Sequence, residues 1–286
     1  MRPVFQWSMG ARALELGKRT LIMGIVNVTP DSFSDGGQFL DLDKAVEHAE
    51  RLVDEGADII DIGGESTRPG AAPVPASEEL ARVLPVLEKL RGKLRIPISI
   101  DTQKAEVAET ALAAGAEIVN DVSALRSDAR LAEVVRRARA PLILMHMRGT
   151  PGTMQQGPFA RDVMRDVLSG LQAAIIRARR AGFVKSRLLI DPGIGFGKSF
   201  KQNFELLARL PELARLGCPV VIGTSRKSFL GRALAREGEP PVPADQRIWG
   251  TAATVTASIL GGAHIVRVHD VAEMAQVARV VDRLLI

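Results

Sequence analysis

Short apolar runs alternate with amphipathic segments along most of the chain. The first run, residues 21–28, is too short for a helix and has the composition of a strand buried on both faces, as in a parallel sheet. It is followed by TPDSFSDGG (29–37), whose turn residues, hydroxyls and carboxylates predict a polar loop. A buried strand that opens into a polar loop is the unit of α/β enzymes, which carry catalytic groups at the carboxyl ends of strands.

This unit recurs eight times from Thr20 onward. The predicted strands cover residues 21–28, 57–62, 96–100, 117–119, 141–145, 187–190, 219–222 and 264–268. The predicted helices begin or lie at residues 42–55, 77, 103–114, 129–139, 160–180, 203–213, 248–260 and 271–285. Eight units without a break in composition predict an α/β fold, a single-domain (β/α)8 TIM barrel over residues 20–286. A doubly wound open sheet is the alternative, and the absence of a second-domain signal argues against it.

Residues 1–19 do not follow the repeat. Apolar and polar residues alternate in 4–7 and again in 13–16, with Met9 and Gly10 between them. This pattern predicts a short N-terminal hairpin, which we interpret as a plug beneath the barrel.

Composition and charge limit the possible partners and the cellular location of the protein. The net charge is +5, but the densest basic groups fall at the ends of predicted helices, and the chain has no tyrosine to form a base-stacking surface. We therefore expect no nucleic-acid partner. No apolar run approaches the roughly 18 residues of a membrane span, and the N-terminus lacks a signal-peptide core. The single cysteine, Cys218, cannot form an internal disulfide, so we expect a cytoplasmic protein without a membrane anchor.

Polar side chains stand at the carboxyl end of every predicted strand. A lone residue of this kind is as often a helix cap or a hydrogen-bonded strand end as a binding residue. Eight groups converging on one barrel mouth would carry a desolvation cost that packing alone does not explain. These polar residues predict a pocket for a polar, planar, partly anionic ligand. They are Asn27, Glu65, Ser66, Thr67, Arg68, Asp101, Asn120, Asp121, His146, Arg148, Asp191, Ser225, Arg226, Lys227, Arg267 and His269.

Charge divides the predicted pocket into two sub-sites. Asp101, Asn120 and Asp191 would lie in its body, where a carboxylate can pair with two adjacent N–H donors of a flat heterocycle. Lys227 and Arg267 follow strands seven and eight of the repeat, where barrels often bind phosphate, and Arg68 would add to this anion site. The amide oxygen of Asn27 suits Mg²⁺ bound to a diphosphate, and Asp35 would assist directly or through water.

A glycine-rich segment, GIGFGKS (193–199), is similar to a phosphate-binding P-loop but fails its pattern. That motif requires glycine at position 192, which is Pro192 here. We interpret the segment as a flexible turn that lets Asp191 and Phe196 line the pocket. A nucleotide kinase or phosphatase, which would rest on this motif, is therefore disfavoured.

Long motifs give the chain a close resemblance to the dihydropteroate synthase family of the folate pathway. The resemblance runs from about Thr20 to the C-terminus, and no motif departs from the family pattern. The motifs are GIVNVTPDSFSDGG (24–37), DIGGESTRPGA (61–71), SIDT (99–102), VNDVSA (119–124), DPGIGFGK (191–198), GTSRKSFLG (223–231) and VRVHD (266–270).

The resemblance implies a reaction and a set of partners. Members of the family are (β/α)8 barrels, usually homodimers, that condense p-aminobenzoate with 6-hydroxymethyl-7,8-dihydropterin diphosphate to form 7,8-dihydropteroate and diphosphate. Sulfonamides compete for the p-aminobenzoate position, and Mg²⁺ accompanies the diphosphate. The implied departure of diphosphate is largely dissociative, and the loops 28–37 and 64–75 would close over the intermediate and exclude water.

The resemblance also assigns roles residue by residue. Asp101, Asn120, Asp191 and Lys227 would hold the pterin, with Met145 against its face. Arg267 and His269 would bind the diphosphate, Val268 between them belongs to the same binding segment, and Asn27 would bind Mg²⁺. Thr67, Arg68 and Ser225, together with Phe33 and Pro69, would frame p-aminobenzoate. The implied catalytic residues are Asp101, Lys227, Arg267 and Asp35.

Two other functions remain open at this point. Pterin-dependent methyltransferases share the barrel, although they have no use for the diphosphate loop at 29–37. A barrel kept only as a non-catalytic binding partner would be expected to lose polar residues at the mouth, and none is missing here.

Overall fold

The structure is a computed structural model, and it describes residues 2–10, 12–29, 38–68 and 70–285. The strands of the described chain are β1 Phe5–Met9, β2 Arg12–Leu16, β3 Leu21–Asn27, β4 Ile59–Gly63, β5 Ile98–Asp101, β6 Ile118–Asp121, β7 Leu142–Met145, β8 Leu188–Asp191, β9 Val221–Ile222 and β10 Ile265–Val268. The helices are α1 Gln38–Asp54, α2 Ala76–Leu90, α3 Ala105–Ala114, α4 Leu131–Arg137, α5 Val163–Arg180, α6 Phe200–Ala208, α7 Ser228–Leu234, α8 Ile248–Leu260 and α9 Val271–Asp282.

Strands β3 to β10 form one parallel sheet in the order β8-β7-β6-β5-β4-β3-β10-β9. The two ends of this order meet, because Ile190 in β8 forms a parallel bridge with Val220 beside β9. The amide of Ile190 also donates a 3.0 Å hydrogen bond to the carbonyl of Pro219. The predicted (β/α)8 barrel is confirmed, and the open-sheet alternative is wrong.

Both faces of the barrel strands are buried, which explains the unbroken apolar runs. Successive strand residues point to opposite faces. One set packs inside the barrel: Leu21, Met23, Ile59, Ile118, Ile143, Leu189, Val221 and Ile265. The neighbouring residues pack outward in the larger core that the helices cover: Ile22, Ile60, Val119, Leu142, Ile190 and Val266.

The predicted N-terminal hairpin is confirmed. Strands β1 and β2 pair antiparallel around Gly10, whose φ of 55° is the left-handed conformation that glycine adopts at little cost. Trp7, Met9 and Leu16 are buried in the cluster that fills the inside of the barrel. The hairpin thus packs against the barrel interior. The assignment of residues 1–19 and 20–286 as separate segments stays a prediction.

Two helices differ from the predictions. The helix expected at 203–213 ends at Ala208 and is followed by a 3₁₀ segment, Leu210–Leu216, because Pro211 has no N–H to donate and disfavours the helical conformation of the residue before it. Helix α7, directly after the seventh barrel strand, was not predicted. In the ranges that the structure describes, no helix combines the length and the apolarity needed to cross a membrane.

Candidate active site

A polar layer lies directly above the apolar interior of the barrel. Because strand side chains alternate, the residue two positions beyond each interior apolar residue faces the same inside. On four strands the residue two positions beyond an interior apolar residue is polar. These are Asp61 after Ile59, Asn120 after Ile118, Asp191 after Leu189 and Arg267 after Ile265. The four polar side chains therefore share the mouth at the carboxyl ends of the strands, together with Asp101 at the end of β5.

The guanidinium of Arg267 joins two carboxylates in this mouth. Its Nε donates to Asp61 Oδ2 at 2.6 Å, and its Nη2 donates to Asp101 Oδ2 at 2.9 Å. The amide of Asn120 donates to the same oxygen of Asp61 at 3.1 Å. Asp61 is fully buried, so it depends on these partners. One polar network thereby cross-links four strands, β4, β5, β6 and β10.

Burial sets the protonation of this network. Desolvation raises the pKa of Asp101 to about 8, against the attraction of Arg267 and with help from the nearby charge of Asp61. Burial works to lower the pKa of Arg267, but the two carboxylates outweigh it and raise that pKa. We expected carboxylates and cations to form separate sub-sites, and this is wrong for Arg267.

A second charged pair comes from β8 and the loop after β9. Asp191 is buried, and its Oδ1 accepts a 2.6 Å hydrogen bond from the amide of Gly193. Burial raises the pKa of Asp191, while Lys227 opposes the rise. Burial lowers the pKa of Lys227 to about 8 against the attraction of Asp191. The Lys227 ammonium donates to the carbonyl of Ile194 and lies 4.7 Å from the centroid of the Phe196 ring.

An apolar wall stands beside these charges. Phe196 packs against a buried cluster formed by Val122, Met145, Met147 and Met154. Met145 ends β7 and faces the same side as the interior residue Ile143, two positions earlier. A pocket with an apolar wall and a few fixed polar groups suits a flat heteroaromatic ligand. The predicted positions of Met145 and Phe196 fit this arrangement.

Ser225 and His269 form a pair at the β9 and β10 end of the mouth. The Oγ of Ser225 lies 2.9 Å from His269 Nδ1 and accepts a 3.1 Å hydrogen bond from the His269 amide. Burial, then the charges of Arg267 and Arg226, lower the pKa of His269 to about 3, and the more distant Arg68 adds to this effect. His269 is therefore neutral at pH 7 and can donate or accept a hydrogen bond.

The remaining predicted residues lie at the edge of the mouth or behind it. Thr67 and Arg68 are in the loop between β4 and α2, where Arg68 is exposed. That loop touches the loop after β7, because the Gly70 amide donates to the carbonyl of Pro151 at 3.2 Å. Val268 is buried in the outer, helix-covered core, so only its backbone faces a ligand in the mouth.

Asn27 is positioned to hold a cation bound to a ligand. It ends β3, pairs in register with Gly63, and Gly63 pairs with Asp101 on the next strand. Within the described ranges, Asn27 has no side-chain hydrogen bond and no group of three His, Cys, Asp or Glu residues is placed to hold a metal. One amide oxygen suits Mg²⁺, which usually takes one or two protein ligands and completes its shell with phosphate and water. Asp35 lies outside the described residues, as do Phe33 and Pro69.

Two buried charged residues near the mouth, Asp61 and Lys198, were not predicted from the sequence. Asp61 is a lone carboxylate within an apolar strand, IIDIG, two positions after an interior residue, and that spacing was the available signal. Lys198 is 2% exposed, and no role was predicted for it because it lies in the segment that fails the P-loop pattern. Its glycine-rich context gave no sign that the ammonium would be buried.

Comparison with known proteins identifies the family. A sequence model described as pterin binding enzyme matches residues 23–269, which include every residue of the mouth named above. This chain belongs to the pterin-binding enzyme family. Within the family it is 49% identical over 276 residues to a dihydropteroate synthase of Synechocystis sp., covering 96% of this chain and 94% of that protein.

Solved structures agree with this assignment. The chain is similar to a Xanthomonas albilineans dihydropteroate synthase with 4-aminobenzoic acid, with a TM-score of 0.90, 46% identity and 99% of each chain covered. It is also similar to a Yersinia pestis dihydropteroate synthase in a sulfonamide drug complex, with a TM-score of 0.91, 43% identity and coverage of 98% of this chain and 99% of that one.

Proposed function

We propose that this protein catalyses the dihydropteroate synthase reaction of folate biosynthesis. It condenses p-aminobenzoate with 6-hydroxymethyl-7,8-dihydropterin diphosphate and releases 7,8-dihydropteroate and diphosphate. One observation carries the proposal: Asp101 and the buried Asn120 and Asp191 face one barrel mouth beside a methionine wall. The chain that builds this mouth is 49% identical to a dihydropteroate synthase over nearly its full length.

The pterin would lie in the body of the mouth. Asp191 would accept two N–H donors from the amino-pyrimidinone edge, since a carboxylate matches two adjacent donors. Asn120 and Lys227 would pair with the remaining polar edge of the ring. Met145 would pack against its face. Hydrogen bonds already hold Asp191, Asn120 and Lys227 before any ligand binds, which favours affinity.

The leaving diphosphate and the arylamine would lie nearer to the opening. Lys227, Arg267 and His269 would stabilise charge on the leaving group. Ser225, Thr67 and Arg68 would frame p-aminobenzoate, the site where sulfonamides would compete. Arg267 already pairs with two carboxylates, so its positive charge is largely neutralised. It would bind the diphosphate through the N–H groups that these carboxylates leave free.

A dissociative reaction in this pocket would need no general base. As diphosphate leaves, positive charge develops on the dihydropterin ring, and a nearby cation favours the ionised form of Asp101. Asp101 would then stabilise that charge across the pocket. The arylamine is neutral at pH 7, so it needs no residue to remove a proton before it attacks.

Mg²⁺ is the cofactor that we propose. Asn27 would hold it, and Asp35 would assist directly or through water. The ion would supply charge neutralisation to the diphosphate oxygens. The fit rests on the amide oxygen of Asn27 at the same rim as Asp101.

We propose a homodimer that forms through the outer face of α6, α7 and α8. Five large apolar side chains are exposed there: Phe200, Phe204, Leu234, Trp249 and Leu260. Trp249 is 79% exposed, and exposed apolar patches of this kind mark association surfaces. Sedimentation should show a dimer for the wild-type protein and a monomer for Trp249→Lys, with unchanged circular dichroism. A monomeric wild-type protein would contradict this proposal.

We also propose a cytoplasmic location for the protein. The one cysteine, Cys218, is a buried free thiol. A chain with no disulfide suits a reducing compartment. Fractionation that recovered the protein with the membrane or with secreted material would contradict this.

The alternative function is methyl transfer by a pterin-dependent enzyme of the same barrel. Two features of the chain favour diphosphate chemistry instead. They are the loop sequence TPDSFSDGG at 29–37 and the cations Lys227 and Arg267 at the mouth.

One assay separates these functions. Purified protein is incubated with Mg²⁺ and the pterin diphosphate, with and without p-aminobenzoate, and released diphosphate is measured. We expect release that requires both substrates and forms 7,8-dihydropteroate in equal amount. Methyl transfer from a methylated pterin without diphosphate release would support the alternative. Binding of both ligands without turnover would show a non-catalytic binding protein.

A further inference from the structure

Lys198 is a buried lysine that the proposed reaction does not use. It ends the glycine turn after Asp191, and its ammonium donates three hydrogen bonds of 3.0 Å. The acceptors are the Nδ1 of His146, the carbonyl of His146 and the carbonyl of Phe196. An ammonium has three donors, so all of them are used inside the protein.

These bonds close the turn against the end of β7. Lys198 binds the carbonyl of His146, and this carbonyl lies so close to Gly193 that a Cβ there would stand 2.0 Å from it. The amide of Gly193 in turn donates to Asp191 Oδ1. Gly193 has φ of 66°, so this approach requires glycine. Lys198 thus fixes the backbone that orients the Asp191 carboxylate.

The imidazole of His146, which accepts from Lys198, is neutral. Burial, then the charge of Lys198, lower the pKa of His146 to about 2. Its Nδ1 accepts from Lys198, which places its proton on Nε2, facing Asp166 Oδ2 at 3.5 Å. His146 therefore adds no positive charge here.

Lys198 also acts on Asp191 by charge. The charged groups that face Lys198 are Asp191, Lys227, Asp166 and Arg148, and the attraction of Asp191 is the largest of these influences. Asp191 in turn is attracted to Lys227, Lys198 and Arg267. Burial lowers the pKa of Lys198 to about 7, so its charge depends on Asp191 as well.

We infer that Lys198 is a positioning residue for Asp191, because it holds the glycine turn behind the carboxylate and supplies it with a second cation besides Lys227. The inference rests on the proposed function, in which Asp191 binds the pterin. Lys198 itself would not touch the ligand, because its three donors are already bound.

The test compares binding of 6-hydroxymethylpterin, which lacks diphosphate, to three purified proteins by titration calorimetry. They are the wild type, Lys198→Met and the control Lys201→Met, which removes an exposed lysine nearby on α6. We expect Lys198→Met to raise the Kd at least tenfold at pH 6.5, and Lys201→Met to change it less than twofold. Lys198→Gln, a smaller neutral change, replaces Lys198→Met if circular dichroism shows that the latter does not fold.

A pH series and a double variant separate positioning from a general structural role. Without Lys198 the pKa of Asp191 rises, so affinity should be lost at a higher pH on acidification than in the wild type. The difference from the wild type should shrink at pH 9, where Lys198 is uncharged. In a double-mutant cycle, adding Lys198→Met to Asp191→Asn should raise the Kd less than threefold, because the carboxylate through which Lys198 acts is already gone.

The outcomes are distinct. Wild-type Kd and an unchanged pH profile in Lys198→Met overturn the inference while leaving the proposed function intact. A tenfold further loss in the double variant also overturns it, because Lys198 would then act independently of Asp191. A wild-type protein that binds no pterin overturns the proposed function and this inference with it.

Discussion

Arg267 donates a 2.9 Å hydrogen bond to Asp101 across the barrel mouth, and the same guanidinium also holds Asp61 at 2.6 Å. One cation thus serves two buried carboxylates that come from different strands. The network is needed for the fold as well as for ligand binding, because an unpaired buried charge is strongly destabilising.

Arg267→Met should lower the free energy of unfolding by about 3–5 kcal/mol at pH 7.5, because it leaves two buried carboxylates without their cation. Urea denaturation measures this value. The loss should be larger at pH 9 and smaller at pH 6, because burial raises the pKa of Asp101 to about 8 and a protonated carboxyl needs no cation. Adding Asp61→Asn to Arg267→Met should recover part of the lost free energy of unfolding, because one unpaired buried charge is removed.

The control for this change is Arg226→Met. Arg226 pairs with Asp270 where the arginine side chain is 37% exposed, so its loss should lower the free energy of unfolding by less than about 1 kcal/mol. Equal stability of Arg267→Met and the wild type would contradict the proposed role of the network.

Asn27→Ala should reduce turnover at limiting Mg²⁺ by roughly tenfold or more, because the substrate-bound ion loses its proposed protein ligand. It should not change the Kd of 6-hydroxymethylpterin, which carries no diphosphate. Initial rates across a Mg²⁺ series, together with calorimetry, give both values. Equal loss of pterin binding and of turnover would indicate a folding defect and remove the metal assignment.

His264 should make the protein less stable in acid. Its Nδ1 accepts the Val220 amide at 3.1 Å, and its Nε2 lies 3.1 Å from the carbonyl of Pro3 in the N-terminal segment. Burial lowers its pKa to about 4 from the ordinary 6.5, so between these values the unfolded chain binds a proton that the folded chain does not. Stability is therefore lost as pH falls from 6.5 towards 4.

His264→Gln keeps a side-chain donor and acceptor but does not titrate. The free energy of unfolding of the wild type should fall by about 2–3 kcal/mol more than that of the variant between pH 7 and pH 4. All other groups are shared, so urea denaturation of both proteins isolates this residue. Parallel pH profiles would show that His264 does not titrate on unfolding.

The sequence predicted the barrel well because its strand signal is local. The run at 21–28 and the runs like it show where each strand lies, and a parallel sheet covered on both faces needs little else. The order of Asp101, Asn120 and Asp191 along the chain then placed them in one mouth. Their grouping followed from topology alone.

Other features depend on contacts between distant residues. Strand alternation places Arg267 and Asp61 on the inner face, but it does not show that they pair across 206 positions. Nor does it show that Lys198 is buried against His146. Helix α7 was missed because its seven residues follow a polar loop and give too short a periodic signal. Such features follow from tertiary packing, which one-dimensional periodicity does not contain.

Calorimetry with 6-hydroxymethylpterin shows whether Asp191 binds a pterin in this mouth. Asp191→Asn should weaken binding by about 1–3 kcal/mol, a roughly 5- to 150-fold higher Kd, because the ligand donors lose their charged partner. Asp245→Asn, an exposed control, should bind like the wild type. An Asp191→Asn protein that is folded and binds the pterin with unchanged affinity would contradict the account.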